Sequence, residues 1–196
     1  MIRSQVRHHG TSQSPDFEVP SFLDINFEDL ANHIGTAPHV IADLDHTLRI
    51  PSGPVDHAIS EHISAARDAG SIESFSIGTD NLAGRFAPGA KQLADRIYSP
   101  FFHGRKLVHK PHPAFFWRII DEVQSPPQTV IMIGNDPYRD IYGANAVGMT
   151  SVLVPPLGSS ILIEFARHHK EHRGRRIITA GRTALSELLN PISNLD

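Results

Sequence analysis

Apolar residues along this chain come in two spacings. Short unbroken runs fall at 39–44 (HVIADL), 72–77, 106–108, 129–133 (TVIMI) and 151–154. Their length and bounding polar residues predict buried strands. Between them, apolar residues recur at helical intervals. Asn26 can cap a helix through Leu30 to Ile34 that Gly35 ends. Val55, Ala58, Ile59, Ile63 and Ala66 mark a helix over 54–69 that Gly70 closes. Further helices are expected over 90–98, over 113–123 before the breaker Ser125-Pro126-Pro127, over 140–147 before Gly148, over 161–172 and over 184–189. The region 17–23, punctuated by Pro20, reads as irregular.

Alternating strands and helices without an internal repeat predict an α/β fold: one Rossmann-like, doubly wound, mostly parallel sheet with helices on both faces. In such sheets ligands sit beyond the carboxyl ends of the strands. Polar residues follow the apolar runs at Asp43, Thr79, Lys110 and Asn135-Asp136. Four strand ends are therefore expected to meet at one crevice.

The bulk numbers leave this picture intact. With 196 residues, the chain suits one domain, expected over 17–196 behind a disordered polar tail at 1–16. Apolar content of 40% and charged content of 20% are ordinary for a soluble globular protein. A net charge of −3 gives no global attraction to nucleic acid, and no nucleic-acid partner is expected. The absence of cysteine excludes disulfides, thiolate zinc sites and Cys nucleophiles. The amino-terminal stretch has Arg3 and Arg7 but no apolar core of a secretory signal, and a cytoplasmic location is expected; its lack of acids before Asp16 leaves an organelle transit peptide as the alternative to a disordered tail.

Two acidic groups carry the candidate chemistry. In Asp43-Leu44-Asp45-His46-Thr47 the first and third residues can share a site, since alternate residues of an extended chain point the same way. Two carboxylates about 4 Å apart repel by roughly 4 kcal/mol at an effective dielectric near 20. A divalent cation, a lysine or a proton must offset that. Gly134-Asn135-Asp136-Pro137-Tyr138-Arg139-Asp140 brings hard oxygen donors suited to magnesium. Lys110 offers a point charge, and Thr79 a hydroxyl beside backbone N–H groups that can hold phosphate oxygens. Each group alone is also an ordinary turn, cap or surface charge. Two acidic strand ends on one doubly wound sheet make a turns-only reading much weaker.

The order Asp-x-Asp-x-Thr, Thr, Lys-Pro and Gly-Asn-Asp-x-x-x-Asp resembles the four motifs of the haloacid-dehalogenase (HAD) superfamily, over about residues 17–157. FLDINFEDL, HVIADLDHTL, HKPHPAFF and IGNDPYRDIYGANAVGMTSVLVPPL are most similar to the capless YqeG-like subfamily, which includes a mitochondrial phosphatidylglycerophosphate phosphatase. The resemblance implies a magnesium-dependent phosphomonoester hydrolase. Asp43 would be the nucleophile and Asp45 the general acid and base. Thr47, Thr79, Asp80 and Lys110 would hold phosphate, and Asp43, Asp45, Asn135, Asp136 and Asp140 would surround the metal. The family usually has Asp where Asn135 stands, so the ligand is Asn135 through its amide oxygen or Asp136 by a one-residue shift. Asp80 stands where the subfamily usually has Asn and adds charge beside the phosphate.

The stretches from Asp45 to Thr79 and from Thr79 to Lys110 are too short for a cap domain. An open site suits a phosphate on a bulky body such as a lipid headgroup. Arg167, Lys170, Arg173, Arg175 and Arg176, interleaved with His168, His169 and His172, are expected to meet an anionic membrane or to lie as a solvated helix end. The other readings are a phosphatase for a nucleotide, sugar phosphate or phosphoprotein, and a phosphate-binding regulatory module weakened at Asn135 and Asp80. A signalling receiver domain would place an acidic pair before its phosphorylated Asp, which this chain does not.

Overall fold

The computed structural model describes residues 13–158. Residues 1–12 and 159–196 lie outside the described residues, and with them the basic stretch at 167–176 and the two expected carboxyl-terminal helices.

The chain forms strands β1 Phe17–Glu18, β2 His39–Ala42, β3 Ser74–Gly78, β4 Arg96–Tyr98, β5 Phe101–His103, β6 Lys106–Val108, β7 Val130–Gly134 and β8 Thr150–Leu153. Its α-helices are α1 Phe27–Ile34, α2 His57–Asp68, α3 Ala90–Leu93, α4 Pro113–Val123 and α5 Gly143–Ala146. A π-helical segment, Pro137–Tyr142, leads directly into α5.

Six strands form one sheet in the order β1-β8-β7-β2-β3-β4, and every pairing in it is parallel. The chain runs outward from β2 through β3 to β4, then returns to β7 on the other side of β2. That reversal is the switch point where open sheets leave a crevice at their carboxyl edge. Strand alternation feeds two cores. Val40, Ala42, Phe75, Ile77, Ile131 and Ile133 face one side, packed with residues of α1, α2 and α3 such as Leu30, Ile63 and Leu93. Ile41, Val130 and Met132 face the other, against Phe115, Phe116 and Ile119 of α4. Burial on both faces explains why β2 and β7 read as unbroken apolar runs. The doubly wound α/β expectation is met.

Caps define the helices much as expected. Asn26 accepts from the N–H groups of Glu28 and Asp29, and Gly35 ends α1 in the left-handed conformation at φ +89. Asp56 caps α2, and His112 caps α4.

Four expectations need correction. The helix expected over 90–98 stops after one turn, and its second half becomes β4. The Asp95 carboxylate accepts from the Phe75 N–H at 2.9 Å and from Arg67 at 2.7 Å, which locks the extended chain beside β3. Long-range pairing overrides the local spacing here. Strand β6 does not join the main sheet. It pairs antiparallel with β5, a strand with no sequence signal of its own, across a turn where Gly104 takes φ +61. The helical region expected over 140–147 begins at Pro137 rather than Asp140, because Asp136 caps it. Finally, the irregular 17–23 segment contains β1, and Ser14 and Asp16 just before it are held. Asn145 Nδ2 donates to the Ser14 carbonyl at 2.8 Å, and the Ser151 N–H donates to the Asp16 carboxylate at 3.0 Å.

Candidate active site

Strand β2 delivers Asp43 to the crevice. Its N–H donates to the Ile133 carbonyl at 2.9 Å, one more rung on the ladder with β7. The chain then folds back on itself. The N–H groups of Leu48 and Arg49 both donate to the Leu44 carbonyl, at 3.0 and 3.1 Å. This tight turn lets Arg49 donate from Nε to Asp45 Oδ1 at 2.8 Å and from a terminal nitrogen to the Gly53 carbonyl at 3.0 Å. Asn81 Nδ2 donates to Asp45 Oδ2 at 3.1 Å. Both Asp45 oxygens are thus held. Arg49 and Asn81 are the positioning residues the sequence reading missed. An Arg four residues after an Asp in the same short turn was the available signal.

Strand β3 delivers Thr79, which is buried and accepts the Asn81 N–H at Oγ1 at 3.0 Å. Asp80 follows. Its Oδ1 accepts the Lys110 backbone N–H at 2.9 Å, which ties the loop after β3 to the loop before α4.

Lys110 does not arrive at the end of a strand of the main sheet. It sits two residues beyond the β5–β6 hairpin, followed by a cis peptide bond to Pro111. The side chain is only 2% exposed and donates from Nζ to Asp43 Oδ1 and to Asp140 Oδ1, each at 2.6 Å. Asp140 Oδ2 accepts the Asp136 N–H at 3.1 Å. Asp136 Oδ1 in turn accepts from the N–H groups of Tyr138 and Arg139, both at 2.9 Å. Gly134 is required here. A Cβ at that position would collide with the Asp140 carboxylate, so any side chain would push Asp140 off Lys110.

The result is an open crevice of about 320 Å³, lined by Asp43, Asp45, His46, Thr79, Asp80 and Asn81 on one side. Lys110, Asn135, Asp136, Arg139 and Asp140 complete it. It brings together every sequence-selected site residue except Thr47. Thr47, expected at the phosphate, is buried instead and donates its hydroxyl to Asn135 Oδ1 at 3.0 Å. The turn at Leu44 to Arg49 rotates it behind the wall, where it orients Asn135.

Burial raises the Asp43 carboxyl above its ordinary range, against the opposing pull of Lys110. Burial likewise pushes Asp140 up to about 7. Burial alone would lower Lys110, but Asp140 and Asp43 override it and hold the ammonium above its usual range. These shifts pull in different directions for one ion pair: a raised carboxyl favours the neutral acid, a raised ammonium the charged base. Two bonds of 2.6 Å decide in favour of a charged lysine. One cation cannot fully compensate two buried carboxylates, so burial draws both Asp43 and Asp140 toward the protonated form.

Five aspartates line the crevice with Lys110 and Arg139, and even with Asp45 paired to Arg49 and a proton on the buried pair the balance stays negative. A phosphate would be repelled unless a further cation joined it. The donors are hard oxygens, carboxylate and amide, which fit magnesium and disfavour softer metals. No group of three or more His, Cys, Asp or Glu among the described residues could hold a metal by itself. Magnesium does not ask for one, since it takes one or two carboxylates and completes its shell with water and substrate oxygens. Asp140 is the weakest of the expected ligands, because both its oxygens already serve Lys110 and the Asp136 N–H.

Residues 108–156 match the HAD-hydrolase-like family model. The matched stretch carries Lys110 and the loop from Gly134 to Asp140. The chain is 41% identical over 49 residues to the phospholysine phosphohistidine inorganic pyrophosphate phosphatase of Xenopus laevis, a match covering 25% of this chain and 18% of that protein. It is 44% identical over 45 residues to the glyceraldehyde 3-phosphate phosphatase of Pyrococcus furiosus, covering 23% and 19%. The chain thus matches under a fifth of the length of each of these relatives. Among solved structures, an uncharacterized protein from Listeria monocytogenes serotype 4b aligns with a TM-score of 0.48 at 16% identity, over 69% of this chain and 99% of that one. None of the helices among the described residues is long and apolar enough to cross a membrane.

Proposed function

We propose that this chain is a HAD-type phosphomonoester hydrolase that works through an aspartyl-phosphate on Asp43. The observation that carries the reading is the joint clasp of Lys110 on Asp43 and Asp140, formed from three segments far apart in sequence at the switch point of the sheet. Local likeness to two phosphatases, and the family-model match over the segment holding Lys110 and Asp140, support the same chemistry.

Lys110 fixes the Asp43 carboxylate so that one oxygen meets phosphorus, and Asp43 attacks as the leaving oxygen departs. Asp45, steadied by Arg49 and Asn81, gives the leaving oxygen its proton. It then takes a proton from the water that splits the Asp43–phosphoryl bond. Thr79 and neighbouring backbone N–H groups hold the phosphoryl oxygens. Magnesium, when held by Asp43, the Asp45 carbonyl and Asn135 or Asp136, would offset the charge of the phosphoryl group. Asp80, whose carboxylate is engaged by the Lys110 N–H, is less able to repel that group than a free carboxylate would be.

Within this reading, the substrate is phosphatidylglycerophosphate or a similar lipid phosphate. The YqeG-like resemblance and the open crevice support it. The other carriers of a phosphomonoester are a nucleotide, a sugar or a protein. Turnover of a chromogenic phosphate ester with magnesium tests the chemistry. Asp43→Asn should cost about a thousandfold or more, equivalent to about 4 kcal/mol of barrier. Undiminished activity in that variant would sink the proposal. Phosphatidylglycerophosphate vesicles compared with small soluble esters test the substrate, and equal or faster soluble turnover would rule against the lipid.

A further inference from the structure

The crevice has two full cations, and they are employed very differently. Lys110 is saturated by carboxylates at its buried end. Arg139 stands at the lip, 59% exposed, with its nearest carboxylates too far for good hydrogen bonds: Asp80 at 3.7 Å and Asp136 at 3.9 Å. Each of those carboxylates already has stronger partners. Asp80 accepts the Lys110 N–H, and Asp136 accepts two N–H groups at the start of the helical segment. A structural arginine in this protein looks otherwise. Arg49 is 6% exposed and bonded at 2.8 and 3.0 Å to Asp45 and Gly53. A guanidinium has five donors in a planar fork that matches carboxylate and phosphate oxygens two at a time. At Arg139 this fork lines the crevice and is weakly occupied.

We infer that Arg139 is a specificity-determining residue that grips a second anionic group on the leaving portion of the substrate. The preferred substrates are then phosphomonoesters whose alcohol carries a carboxylate or a further phosphate. The inference rests on the reading that the phosphoryl group docks at Asp43. Arg139 lines the same crevice as Asp43 and stands exposed between Asp136 and Asp80, within reach of a group that extends toward solvent from a phosphoryl group at Asp43. Gripping a second anion replaces two loose contacts with a bidentate one.

The test compares binding of three phosphonates at fixed free magnesium by calorimetry: propylphosphonate, phosphonoacetate and methylenediphosphonate. The intact protein should bind at least one of the two probes with an anionic tail about tenfold more tightly than propylphosphonate. Whichever of the two is favoured tells a carboxylate from a phosphate source. In Arg139→Gln the ratio should fall to about one, and Arg139→Lys should recover part of it. A purely structural Arg139 would weaken all three probes together and leave the ratio unmoved. No preference in the intact protein, a preference that survives Arg139→Gln, or no binding of any probe overturns the inference. Turnover of a chromogenic ester is read separately. Turnover without a preference removes only this inference, and a preference without turnover removes only the hydrolase proposal.

Discussion

The deep end of the crevice and its lip contain the same kinds of charge, and their geometry sets them apart. At the deep end, Lys110, Asp43 and Asp140 are 2%, 13% and 1% exposed and joined at 2.6 Å. At the lip, Arg139, Asp80 and Asp136 are 59%, 20% and 42% exposed and no closer than 3.7 Å. Removing water makes a charge pair rigid and costly to break, while leaving water makes it cheap to rearrange. The deep group can therefore hold the Asp43 carboxylate in one orientation. The lip group can exchange partners when a ligand arrives.

Breaking the deep clasp should have the larger effect on stability. Lys110→Met leaves two buried carboxylates facing each other and should cost about 3–5 kcal/mol. Chemical denaturation reads this directly, and a loss below about 1 kcal/mol would remove the distinction between the two ends.

The second prediction concerns pH. Asp140, held at about 7, stays protonated in the folded protein at pH values where the unfolded chain has released that proton. In magnesium-free buffer the folded state therefore binds more protons between about pH 4 and pH 7, and stability falls as pH rises through that window. Lys110, also raised, has the same sense in a separate window: its contribution is present below its ordinary range and is lost only at strongly alkaline pH. Thermal unfolding of Asp140→Asn should show a shallower decline between pH 4 and pH 7. An unchanged slope would mean that Asp140 is not the group holding the proton.

Smaller effects follow at the lip. Asp80→Ala frees the Lys110 N–H and should cost about 1–2 kcal/mol, while Asp80→Asn keeps an acceptor and should cost less. Arg139→Gln should change stability by about 0.5 kcal/mol or less. A larger loss there would make the lip as structural as the deep end.

How much of this was legible in the sequence follows the same division between local and long-range forces. β2 and β7 are buried on both faces, so their apolar runs announced them, and the acids after them marked the crevice. Helix α1 announced its cap in Asn26, whereas α2 and α4 were marked by apolar spacing and breakers alone and their caps, Asp56 and His112, emerge only in the structure. β4 was hidden, because 90–98 has helical spacing and only the bonding of Asp95 to Phe75 of β3 makes it a strand. β5 and the hairpin were hidden for a similar reason, since Phe102 and Leu107 are exposed and show no buried pattern. Within the site, the identities of Asp43, Asp45, Thr79 and Lys110 were legible from motif order. Their partners were not. That Thr47 turns inward to Asn135, that Arg49 holds Asp45 and that Asp140 shares Lys110 with Asp43 all depend on turns closed by tertiary contacts.

The central claim is that Asp43 carries the phosphoryl group, and one labelling experiment tests it most directly. An Asp45→Asn variant, unable to activate water well, should stall after transfer when given a phosphate ester labelled in its phosphorus and magnesium. Acid quenching and peptide mapping should then find the label on Asp43, sensitive to hydroxylamine, and Asp43→Asn/Asp45→Asn should carry none. Label on any other residue, or ester hydrolysis by the intact protein with no label on Asp43 in the stalled variant, would contradict the account.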